Sequence, residues 1–246
     1  MHFLHVLNSP DRVVAQREQE WIPLWKKGRS WEYEDICVTF IRGEKGAKVT
    51  VRAGEKPLSR ILCFWLQKTG DCKVLNDHWE RAYGDLEWSS IQPDRPLPWY
   101  FMTHAGKVTH GYGVKTGPGA MCCWLMDAAC VRLVLDVRNG GEGVLLQGRT
   151  LEAAEIVSRR GKLGEDPFDA AHAFCKQMCD HPVLPKFPIY GGNNWYYAYG
   201  NCSHDSIVED SRRMSRLAGD ASVRPFMVID AGWHTDIGRW KDTFDD

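Results

Sequence analysis

The feature that most limits what this chain can become is the run Val131–Arg138. Val131, Leu133, Leu135 and Val137 alternate with Arg132, Val134, Asp136 and Arg138. Successive side chains of a strand point to opposite faces, so a period of two sends one set of residues to a core and the other outward. Asn139-Gly140-Gly141 then turns the chain, and Val144–Gln147 is expected to return as a strand. Val38–Arg42 and Ala47–Ala53 form a second hairpin signal, joined by Gly43-Glu44-Lys45-Gly46. Ile61–Leu66, Met121–Met126 and Leu151–Val157 add further strand candidates. The segment 92–99 holds three prolines, which exclude a central strand and predict a surface connection. Short strands with turn signals over residues 31–160 predict a mainly antiparallel β-sandwich.

The texture changes near residue 165. Asp166-Pro167 opens a helix, with Pro at the first helical position. Phe168, Ala171, Phe174, Cys175 and Met178 recur at helical spacing behind it. His172, Cys175 and Cys179 share that helix at i, i+3 and i+7, but no C-x-x-C accompanies them, so this face reads as packing core and no metal is expected. Pro182, Pro185 and Pro188 make a stiff linker. Then comes a strand–helix–strand unit. Ile189-Tyr190 begins a strand, Ser203 caps a helix reaching about Ala218, Gly219 stops it, and the apolar run Phe226–Ile229 is a buried strand. The two strands are expected to be parallel neighbours.

Composition narrows the function. Lys+Arg is 31 against Asp+Glu 32, a net charge of -1, so no nucleic-acid footprint is expected. No run of about 18 apolar residues exists, so no membrane span is expected. The first ten residues lack the pattern of a secretory signal. Nine scattered cysteines suit reduced thiols, so a cytoplasmic location is expected. Eleven tryptophans either fill a core or stack on sugar rings.

Ligands of parallel β/α folds bind beyond the carboxyl ends of strands. Two segments stand there. One is Gly191-Gly192-Asn193-Asn194-Trp195, and the other is Asp230-Ala231-Gly232-Trp233-His234. Together they offer a carboxylate, two amides and two indoles. Carboxylate and amide oxygens accept hydrogen bonds from sugar hydroxyls, amide nitrogens donate, and an indole stacks on the ring. The candidate substrate-binding residues are therefore Asn193, Asn194, Trp195, Asp230 and Trp233. The plainer readings stay open: Asp230 as a cap or loop holder, and the asparagines as turn formers.

Residues 190–200 (YGGNNWYYAYG), the helix carrying SIVEDSRRM and Phe226–His234 (FMVIDAGWH) resemble the opening of the catalytic barrel in the α-galactosidase (melibiase) clan of glycoside hydrolases. Tyr112–Val114 and Leu135–Gly141 are similar to the sandwich that precedes that barrel. The resemblance implies a sandwich over residues 1–165, a helix and Pro-rich linker over 166–187, and the first β/α units of a TIM (β/α)8 barrel over 188–246. It implies hydrolysis of a terminal α-linked sugar with retention, no cofactor, and a carbohydrate substrate such as an oligosaccharide or galactoside. Homo-oligomers fit the same picture. In the family the aspartates after the second strand bind galactose hydroxyls. Ala231 replaces one of them, and a methyl group accepts no hydrogen bond. A full barrel needs about 250 residues. The catalytic carboxylates of the family sit on later strands, so this chain is expected to be a fragment, inactive alone and without a catalytic residue of its own. The rival expectation is a non-catalytic carbohydrate-binding or structural sandwich.

Overall fold

The computed structural model describes residues 3–44, 46–78, 86–199 and 201–231. They fall into two compact units, divided between His181 and Pro182. The first is built from β1 (Arg12–Arg17), β2 (Glu20–Lys27), β3 (Ser30–Tyr33), β4 (Ile36–Arg42), β5 (Gly46–Arg52), β6 (Arg60–Leu66), β7 (Lys73–Leu75), β8 (Ser89–Ser90), β9 (Leu97–Pro98), β10 (Tyr100–Ala105), β11 (Val108–Val114), β12 (Met121–Met126), β13 (Cys130–Asp136), β14 (Thr150–Arg159) and helix α1 (Pro167–Met178).

The strands pair antiparallel in the order β8-β7-β10-β11-β14-β5-β4-β3-β2-β1-β6-β13-β12-β9. The ribbon folds over at β2, giving two layers around one core. The first half of β2 pairs with β1, Leu24 facing Val13, while Trp25–Lys27 pair with β3. Pro23 sits at this corner, opposite Val14. The antiparallel sandwich is therefore present. Its two ends are the two-residue strands β8 and β9, and Pro98 lies on β9; short edges and proline both discourage pairing with another chain.

Periodicity explains the inner faces. Val131, Leu133 and Leu135 are buried from β13, and Ala47, Val49 and Val51 from β5. Aromatic rings join the layers. Phe40 of β4 meets Trp65 of β6 at 6.1 Å, Trp65 meets Trp124 of β12 at 6.0 Å, and Trp124 meets Phe101 of β10 at 5.6 Å. Phe101 stacks on Tyr112 of β11 at 4.9 Å. Buried indoles need acceptors. Trp65 donates to the Asn8 carbonyl at 2.8 Å and Trp124 to the Trp99 carbonyl at 3.3 Å.

The structure corrects several expectations. Val144–Gln147 is not a strand: after the Asn139–Glu142 turn, Val144 exchanges both backbone hydrogen bonds with Leu58 instead. Strand structure begins at Arg12, well before residue 31. On α1, Phe168 is 77 % exposed, and His172 and Cys175 are exposed too, so their face is not core. The helix instead presses a narrow stripe of Ala170 and Phe174 onto β11 and β14, with Met178 partly buried beside them. Asp166 caps it by accepting from the Phe168 N–H at 2.8 Å.

The second unit holds β15 (Gly191–Asn193), α2 (Trp195–Ala198), α3 (His204–Ala218) and β16 (Phe226–Val228). β15 and β16 are parallel, with Gly191 opposite Phe226 and Asn193 opposite Val228. The first strand lies slightly later than Ile189-Tyr190 suggested. Ser203 and Ser206 cap α3 reciprocally, and Gly219 ends it at φ +52°. A strand–helix–strand unit with parallel strands is thus present. No helix among the described residues is long and apolar enough to cross a membrane.

Two predictions follow from packing and charge. A Cβ at Gly111 would lie 2.5 Å from Phe174 Cγ, so Gly111→Ala should cost about 1–3 kcal/mol in denaturant melts, and much less in a Phe174→Ala background. Arg17 grips Asp35 through two bonds of 2.7 and 2.6 Å, and the Gly54 N–H adds a third at 2.7 Å. The Arg17 hydrogen bonds, chiefly, pull the Asp35 pKa from 3.8 to about 2. The folded state then binds fewer protons than the unfolded one, so this contribution is complete above about pH 4 and fades as pH falls towards 2. Asp35→Asn should lower the neutral-pH urea midpoint and flatten its acid slope. The loss should be on the order of 1 kcal/mol, because the carboxylate is partly hydrated.

Candidate functional site

The candidate site is assembled by the short parallel pair. Gly191 has to be glycine: a Cβ there would collide with the Phe226 backbone. The pairing brings the segments after β15 and β16 side by side. Asn193 Nδ2 donates to Asp230 Oδ2 at 2.8 Å, and the Asp230 N–H donates to Asn194 Oδ1 at 3.0 Å. Asn194 is 1 % exposed, the only buried side chain among the described residues of the second unit. Its buried amide oxygen is thus satisfied by the other strand's backbone.

Turn chemistry and site chemistry coexist here. Asn193 Oδ1 accepts from the Trp195 N–H at 2.6 Å, which fixes the turn into α2, while its nitrogen reaches Asp230. Asp230 Oδ1 accepts from the Ala231 N–H at 2.8 Å. The Asn193 amide, and then the Ala231 N–H, hold the Asp230 carboxyl below its ordinary pKa, so it is ionised at neutral pH. Each carboxylate oxygen has two lone-pair sites, and one bond at each leaves capacity for a hydroxyl donor.

Of the five residues nominated from sequence, the structure joins Asn193, Asn194 and Asp230 directly. Trp195 is half-buried at the start of α2, its ring 5.9 Å from Tyr199. Trp233 lies outside the described residues. A contact the sequence did not suggest is that of the Tyr197 hydroxyl with the Asp210 carboxylate, which ties α2 to α3. Nothing in a spacing of 13 residues signals such a pair. Among the described residues no group of three or more His, Cys, Asp or Glu could hold a metal ion.

No family model matches the sequence, and no curated protein matches it. Among solved structures, 16 chains match. One is a cycloalternan-degrading enzyme from Trueperella pyogenes in complex with isomaltose, 11% identical, with a TM-score of 0.39. The match covers 92% of this chain and 38% of that one, so this chain spans well under half the enzyme's length. At that TM-score the likeness carries no conclusion about fold or activity.

The buried amide gives a direct test of the geometry. Asn194→Ala leaves the Asp230 N–H without its acceptor and should cost the second unit about 1–3 kcal/mol. Amide exchange at Asp230 and Met227 should speed up, while exchange in β13 stays unchanged.

Proposed function

We propose that this chain carries the opening of a glycoside hydrolase similar to the α-galactosidases, with a sugar subsite at Asn193, Asn194 and Asp230. The observation that supports it best is the 2.8 Å bond between Asn193 Nδ2 and Asp230 Oδ2, which joins an amide and an ionised carboxylate across the ends of two parallel strands. Asp230 accepts from ring hydroxyls with its remaining lone pairs, and Asn193 fixes the carboxylate's orientation. Trp195 supplies an apolar face for the sugar's C–H side. The strand–helix–strand unit is the first part of a (β/α)8 barrel.

Hydrolysis with retention needs a nucleophilic carboxylate and an acid/base carboxylate about 5–5.5 Å apart. In the α-galactosidase pattern both belong to barrel strands later than the two seen here. The present residues bind and orient; they do not break the bond. Ala231 withdraws one acceptor relative to the α-galactosidase pattern, which relaxes the demand for galactose.

Calorimetric titration of the chain with methyl α-galactoside and methyl α-glucoside tests this reading. Asp230→Asn should weaken sugar binding at least about tenfold, roughly the loss of one charge-assisted hydrogen bond. Ala231→Asp should strengthen binding of the galactoside over the glucoside. Sugar binding that is indifferent to Asp230→Asn would move the site elsewhere and favour a carbohydrate-binding sandwich without catalysis.

A further inference from the structure

A cavity of about 540 Å³ opens on the sandwich, and its described lining comes from the first unit alone. Four stretches of chain meet there: the N-terminal segment at Phe3 and His5, the exit of β6 at Gln67 and Lys68, β11 at His110, and the exit of β14 at Arg160. Among the described residues no carboxylate lines it. Arg159 is neutralised by Glu165 at 2.5 Å, but neither Arg160 nor Lys68 forms an ion pair among the described residues.

Gln67 and His110 add donors to the lining. Gln67 Oε1 is already occupied, accepting from the His5 N–H at 3.0 Å. His110 is 4 % exposed, and its Nδ1 accepts from the Gly161 N–H at 3.0 Å. That bond assigns the ring proton to Nε2. Burial first, and the Arg160 charge second, lower the His110 pKa, so the ring is neutral near pH 7. Arg160 is held in place by the Phe3 ring, with its guanidinium carbon 4.9 Å from the centroid. Phe3 in turn stands edge-on to His110 at 5.3 Å. The stacked guanidinium is thereby pre-organised, and among the described residues its in-plane N–H fork has no acceptor, which suits a planar or tetrahedral oxyanion.

A cavity whose described lining offers two cations and an imidazole N–H but no acid suits a ligand that brings negative charge and acceptors. We propose that this cavity binds a small ligand through a carboxylate or phosphate group, held by Arg160 and Lys68 with His110 Nε2 as a neutral donor. The site lies within the sandwich unit and is independent of the sugar subsite proposed above.

The test is a heteronuclear NMR titration of the 15N-labelled chain with inorganic phosphate, D-galacturonate and, as the neutral control, galactose. The two anions should shift the His110 Nε2–H and Gly161 amide signals with a Kd below about 1 mM, and galactose should leave them in place. Raising the ionic strength from about 0.05 to about 0.5 M should weaken the effect. Arg160→Gln should weaken binding at least tenfold with an unchanged melting temperature, and Arg160→Lys should restore part of it. A response to galacturonate alone identifies an organic acid as the ligand, and a response to phosphate alone a phosphate ester. Absence of shifts at His110 with either anion would overturn the proposal. So would shifts of equal size in an Arg160→Gln/Lys68→Gln double variant.

Discussion

The first unit depends on the aromatic file that runs through its core. Phe40, Trp65, Trp124, Phe101 and Tyr112 cross from one layer to the other and back, each ring within about 6 Å of the next. Removing a buried aromatic of this kind costs about 3–5 kcal/mol, a large share of a domain's net stability. The file also reaches the chain's beginning. Tyr112 accepts from the Leu4 N–H at 3.0 Å, and Phe3 lies 5.5 Å from the same ring. The residues that wall the anion cavity are therefore positioned by the core itself, and not by a loop of independent conformation.

This arrangement assigns part of the tryptophans to the core. Trp31, Trp65 and Trp124 are buried core, whereas Trp21 and Trp25 stand exposed on β2. The thiols follow the same division. Burial pushes the Cys122 thiol up to about 12, and its neighbour Cys123, on the opposite face, to about 11. Adjacent residues in a strand diverge, so these two remain free, as do the other seven cysteines.

What the sequence disclosed was local. Met121–Met126 is a strand with the bounds its apolar run suggested, and Ser203 and Gly219 begin and end α3 because capping needs only neighbours. What it hid depends on partners distant in sequence. β11 carries Gly111 and Gly113, residues that disfavour strands, because Phe174 packs where side chains would stand. β1 shows no alternation because Val13–Arg17 are all buried. At the candidate site the residue types were legible, while the bond from Asn194 to the Asp230 backbone was not; it exists only once two strands far apart in sequence lie parallel. The cavity of Phe3, His110 and Arg160 left no motif at all, since its members come from four separate stretches of chain.

The corner in β2 has a consequence of its own. Because Glu20–Leu24 belong to one layer and Trp25–Lys27 to the other, the two layers share a single strand. A residue inserted beside Pro23 would leave β1 in step and throw β3 onto the wrong face, since a slip of one inverts every side chain that follows. The eight residues of β2 therefore behave as a fixed ruler against which both layers are set.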